Sequence, residues 1–210
     1  LIPRLALIDP ELTLSLPPHL TAGTGMDAFT HNIECYLANV FNPPADAIAL
    51  DGLEKAWKYI ERATRNGQDR EARFNMAVAA MEGAMVFQKG LGAVHALSHP
   101  TGGLKGYRTH HGTLNAVYLP AVLRFNAPAV GDKYGRVAQV MGLPEREGNA
   151  EGVANAVSAL NGRLGIPKGL AAMGLRVALL HTLNHAVFKT LLLLAAGAVI
   201  HGTRTASLEA

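Results

Sequence analysis

Apolar residues recur at helical spacing along most of the chain. In residues 21–37, Met26, Phe29, Ile33 and Leu37 fall three or four apart behind Pro17-Pro18, which predicts a helix with one buried stripe. Phe41-Asn42-Pro43-Pro44 stops and restarts the chain, and Pro44 suits a first helical turn. Ala49, Leu53, Ala56, Trp57 and Ile60 then share one face opposite Glu54, Lys55, Lys58, Glu61 and Arg62, the pattern of an amphipathic packing helix ended by Asn66-Gly67 as a left-handed stop. Residues 69–89 predict a further helix. Its second half, residues 76–87, is apolar on all sides apart from Glu82, which places it in the centre of a bundle with Met76, Met81 and Met85 as core fillers. More helices are predicted at 113–126, 132–141 and 150–164, while residues 1–16 read as an end strand and linker. The whole pattern predicts an all-α, multi-helix, bundle-like body with at most a short N-terminal strand.

Polar residues on these helices bring in chemistry. Asp27 and His31 sit four apart, so both leave one face of the first helix, one turn from each other. A carboxylate and an imidazole so placed can share a divalent ion if further ligands come from elsewhere; a surface carboxylate beside a half-buried histidine is the plainer alternative. His95 and His99 repeat the spacing on a short helix that Pro100 is expected to end, because the residue before a proline is pushed from helical dihedrals. A Gly-rich turn follows, and His110-His111-Gly112 opens the next helix, where the helix dipole disfavours imidazolium and leaves a ring nitrogen free for a metal. Four of the nine histidines thus fall between 95 and 111 in a chain only 17% charged, which favours a metal site.

Both windows resemble the signatures of the iron-containing (group III) alcohol dehydrogenases. Asp9 to Pro17, Ala22, Thr24, Asp27-Ala28-Phe29 and Glu34 are similar to the first signature; residues 95–100 (HALSHP), the Gly-Gly turn and residues 110–120 (HHGTLNAVYLP) are similar to the second. The resemblance runs from about residue 5 to 174. It implies metal ligands Asp27, His31, His95 and His111 for Fe2+ or Zn2+, with His110 a rival for His111. It implies that His99 lies beside the nicotinamide and relays a proton, and that NAD(P) and an alcohol or aldehyde are the other participants. The implied reaction is alcohol–aldehyde interconversion by hydride transfer, the alkoxide stabilised by the divalent metal. Gly102 and Gly103 are the candidates for approach to the cofactor, or serve only to make the turn.

The resemblance also divides the chain. Residues 1–18 are expected to link to an α/β dinucleotide-binding domain missing from this sequence, 19–174 to form the helical metal-binding domain, and 175–210 to be an atypical C-terminal segment. No GxGxxG loop follows a strand, so the chain is expected to act as a fragment without its cofactor platform. The last segment holds one acidic residue, Glu209, and lacks the family's acidic helices and Asn-Pro-Arg; His181 and His185 there read as incidental. A metal-binding helical piece that oligomerises without turnover is the alternative reading.

Composition removes other classes. A net charge of +3 without basic clusters argues against nucleic acid, and the apolar run at 190–200 is too short to span a membrane. The single cysteine, Cys35, cannot form an internal disulfide and reads as a small buried apolar residue; it points to the cytoplasm, and no signal peptide opens the chain. HALSH lacks the glutamate of HExxH, no CxxC pair exists, and no GxSxG motif makes Ser98 a nucleophile. Glu82 reads as a partly exposed helix glutamate rather than an acceptor behind a ligating histidine. A homo-oligomer is expected.

Overall fold

A computed structural model describes residues 4–104 and 106–175. These fold into seven helices: α1 (Pro18–Leu37), α2 (Pro43–Arg65), α3 (Arg70–Met85), α4 (Ala93–Gly102), α5 (His111–Val130), α6 (Lys133–Val140) and α7 (Ala150–Arg163). The all-α expectation holds, and no strand occurs among the described residues. Residues 4–16 carry a 3-10 turn at Pro10–Thr13 in place of the expected strand, which has no neighbouring strand to complete its hydrogen bonds. His181, His185 and the apolar run at 190–200 lie outside the described residues.

Helix α1 is the hub. Met26, Phe29 and Ile33 are fully buried and Leu37 nearly so, and fourteen of its twenty residues are buried, far more than one stripe would give. It packs against α2, α3 and α5. Small residues make this possible. Asn32 on α1 donates to the carbonyls of Ala28 and Ala79, in a slot between Gly52 of α2 and Gly83 of α3; a Cβ at Gly52 would meet its Oδ1 at 2.4 Å. The carbonyls near the C-terminus of α1 are closed by lysines from elsewhere: Lys133 donates to Tyr36 and Ala38, and the buried Lys89 reaches Tyr36 and pairs with Asp46. Cationic ends at helix C-termini complement the dipole.

Four expectations need correction. Helix α4 does not stop before Pro100 but runs to Gly102, because Thr101 anchors its last turn by donating to Leu97 O and pairing with Tyr118 of α5. The stop after α2 is not left-handed: Asn66 is extended, and its side chain accepts from the Gln68 amide. Helix α3 is peripheral, not central. Only Ala72, Arg73, Ala79 and Gly83 are buried on it; Met76 packs at the core edge, whereas Met81 and Met85 are exposed and Phe87, just beyond, is also exposed. The helix ends at Met85, and residues 87–89 form a separate 3-10 turn. Cys35 is buried as expected, and burial pushes its thiol up to about 11.

Candidate metal centre

The centre lies where α1, α4 and α5 meet. On α1, Asp27 and His31 face the same way, as their spacing requires. Helix α4 brings the buried His95, and α5 starts with His111. The crossing of α1 and α5 is extremely close. A Cβ on Gly112 would lie 2.0 Å from the carbonyl oxygen of Gly23 and 3.0 Å from Asp27 Cβ, so the glycine after His111 is what lets that imidazole reach Asp27.

Three imidazoles converge on one carboxylate oxygen. The Nε2 atoms of His31, His95 and His111 lie 3.7, 3.5 and 3.6 Å from Asp27 Oδ1. One ligand atom each of Asp27, His95 and His111 lie within 4.8 Å of one another. The His31 ring stacks on His95 with centroids 4.5 Å apart, and Phe87 packs edge-on against its other side. In a regular tetrahedron the ligand–ligand edge is about 1.63 times the bond length, so the three edges to Asp27 correspond to bonds of about 2.1–2.3 Å, at and just above the range for nitrogen and oxygen on Zn2+, while His31 lies outside the group whose ligand atoms are all mutually close. The donor set, one carboxylate and three imidazoles, suits iron or zinc. These residues fit a divalent cation.

The electrostatics agree. Burial opposes charge on Asp27, but hydrogen bonding to His95 and Asn115 and the nearby imidazoles hold its carboxyl below the usual range. Burial also opposes charge on His95, yet Asp27 and Glu34 outweigh it and push the ring up to about 9: the spot favours a cation. Burial holds His31 and His111 below the usual imidazole range, against the pull of Asp27.

Of the other sequence-derived residues, His110 does not join. Its Nδ1 accepts from the Thr113 amide as the N-cap of α5, against Gly23 of α1. His99 is exposed one turn beyond His95, with ring centroids 5.7 Å from His95 and 5.0 Å from His111. Gly102 and Gly103 are exposed at the end of α4. A Cβ on either would make only ordinary contacts, and neither has a positive φ, so local packing does not demand glycine. Glu82 sits on the face of α3 turned to α2, largely buried beside Lys55 and Asp51.

Two residues of the quoted signatures, given no role from the sequence, also stand at the centre. Glu34 stands behind His95, with Oε2 2.6 Å from its Nδ1. Asn115 is fully buried, and its Nδ2 lies 2.6 Å from Asp27 Oδ1 and 3.1 Å from the Nε2 atoms of both His95 and His111. Spacing did hold one signal: Asn115 follows His111 by four, as His31 follows Asp27.

Known proteins resemble the chain. A 4-hydroxybutyrate dehydrogenase of Cupriavidus necator is 60% identical over 181 residues, 83% of this chain and 46% of that protein. An NAD-dependent methanol dehydrogenase of Bacillus methanolicus is 37% identical over 83% of the chain and 46% of its own length. A crystal structure of a 1,3-propanediol oxidoreductase superposes with a TM-score of 0.79 at 35% identity, covering 85% of this chain and 48% of the other. The chain therefore spans about half the length of the curated relatives it matches. Residues 21–196 match the description "Fe-containing alcohol dehydrogenase family, C-terminal", which reaches beyond residue 174 into the segment of unusual composition. By this match, and by its likeness to these relatives, the chain belongs to the iron-containing alcohol dehydrogenase family.

Proposed function

We propose that this chain supplies the helical, metal-binding half of an NAD(P)-dependent dehydrogenase acting on short primary alcohols. The observation that carries the reading is the convergence of three Nε2 atoms, each 3.5–3.7 Å from Asp27 Oδ1. Asp27, His31, His95 and His111 would hold the divalent ion, iron or zinc. When bound, that ion supplies a Lewis acid that acidifies an alcohol hydroxyl, and a nicotinamide supplies the hydride acceptor.

The chain's own residues do the rest. Asn115 donates to Asp27 Oδ1 and so orients the carboxylate. Phe87 packs edge-on against the His31 ring and helps fix its orientation. His99 is exposed beside the His95 and His111 rings, which suits it to accept the hydroxyl proton on a ring nitrogen and release it to solvent. The substrate class follows from relatives named for 4-hydroxybutyrate, methanol and 1,3-propanediol, all primary alcohols. Among the described residues no glycine-rich loop follows a strand, so the nicotinamide platform is assigned to a part of the enzyme outside them.

The test is metal content. The chain loaded with Fe2+ or Zn2+ should hold one ion, and His95→Ala should release it while far-UV circular dichroism stays unchanged. One ion per chain retained after His95→Ala would overturn the assignment.

A further inference from the structure

The carboxylate of Glu34 reaches two points on α4 at once. It is 7% exposed near the C-terminus of α1. Its Oε1 accepts the backbone N–H of Val94 at 2.7 Å, and its Oε2 lies 2.6 Å from His95 Nδ1. The residue at the start of α4, Gly92, offers no capping side chain, and a Cβ there would fall 2.6 Å from Glu34 Oε1. The carboxylate thus fills the space that Gly92 leaves open and caps α4 from another helix.

We propose that Glu34 is a positioning residue of the metal centre, locking His95 with its proton on Nδ1 and its bare Nε2 turned to Asp27. This rests on the metal reading above. An ionised carboxylate has only acceptors, so the ring nitrogen facing it carries the hydrogen. The ring takes an ion only in its neutral form, whose single N–H on Nδ1 leaves the Nε2 lone pair for the metal. Asn115 Nδ2, a donor only, lies 3.1 Å from that Nε2, a contact the same tautomer accommodates. Partners of this kind orient ligating histidines and raise their basicity. Because the same carboxylate holds the first turn of α4, the helix start and the ring orientation form one unit. A purely capping role would use Oε1 alone and leave Nδ1 of His95 without a partner.

The experiment uses the 210-residue chain with nitrogen-15-labelled histidine, titrated with Zn2+. In the Zn2+-loaded wild type, His95 should show a proton on Nδ1, shifted far downfield, and none on Nε2. Glu34→Gln keeps the size and one acceptor but loses the charge. It should weaken Zn2+ binding by about tenfold to a hundredfold and abolish the downfield signal, with helical content unchanged. Gly92→Ala keeps the carboxylate but displaces it, and should act in the same direction. A His95 still protonated on Nε2 in the Zn2+-loaded wild type, or Zn2+ affinity unchanged to about twofold in both variants, would overturn the proposal. If Glu34→Gln does not fold, Gly92→Ala and the wild-type spectrum decide it. Retention of stoichiometric Zn2+ by His95→Ala would instead overturn the metal reading itself, so the two failures are distinct.

Discussion

Gly112 crosses Gly23 so closely that a single added carbon would lie 2.0 Å from the Gly23 carbonyl oxygen. That contact is backbone against backbone, with no side chain free to move aside. Gly112→Ala should therefore push α5 from α1, cost about 1–3 kcal/mol or more, and separate His111 from Asp27. Thermal melting and Zn2+ stoichiometry report the two effects, and both are expected to fall together.

The adjacent histidines of the α5 start should behave oppositely. His111→Ala removes a group aimed at Asp27 and should weaken metal binding strongly while leaving the melting temperature of the metal-free chain nearly intact. His110→Ala removes the N-cap of α5, costs about 1 kcal/mol and leaves the metal in place. Equal metal loss in both would show that the ligand assignment confuses the pair.

How far these features could be read in the residues depends on how local they are. Asp27 with His31 and His95 with His99 follow from one helical turn, so their shared faces were legible from spacing alone. The grip of Glu34 on His95 spans sixty-one positions and depends on an α1–α4 packing that no local pattern encodes. Helix α3 was placed in the centre because residues 76–87 are apolar all round, yet hydrophobicity does not say which element sits inside. Its small residues, Ala79 and Gly83, make the close contact, and Met81, Met85 and Phe87 are left outside. Pro100 misled for a related reason: the preference against helix before proline is local, and the tie from Thr101 to Tyr118 overrides it.

Stability should depend on pH through Glu82. Burial, then the neighbouring Asp51, push its carboxyl up to about 7 from an ordinary 4.5. The folded chain thus binds more protons than the unfolded one between those values, so stability falls as pH rises through that window and levels off above it. Glu82→Gln should remove this slope and gain on the order of 1 kcal/mol at pH 8. Urea midpoints at pH 4.5 and pH 8 check it; parallel curves for the two proteins would exclude Glu82 as the responsive group.

Turnover should require a nicotinamide platform. Hydride transfer demands donor and acceptor about 3–3.5 Å apart, and effective molarity of order 10⁵ M or more is not recovered by adding free cofactor. The 210-residue chain alone should form NADH negligibly with 4-hydroxybutyrate or short alcohols, followed at 340 nm. Fusion of the dinucleotide-binding half of a relative ahead of Leu1 should restore measurable turnover, which His99→Ala then lowers. Robust turnover by the chain alone would contradict this division of labour.

The four convergent groups come from helices far apart along the chain, Asp27 and His31 near one end of the described residues and His95 and His111 much later. An ion held by all of them would act as a cross-link, closing a loop of roughly eighty residues; by the chain-entropy estimate used for disulfides this restricts the unfolded chain by on the order of 4 kcal/mol. A strong chelator should then do more than silence chemistry. It should release a tether on the unfolded ensemble, so that melting temperature tracks free Zn2+ concentration in the wild type and stops tracking it once His95 is removed.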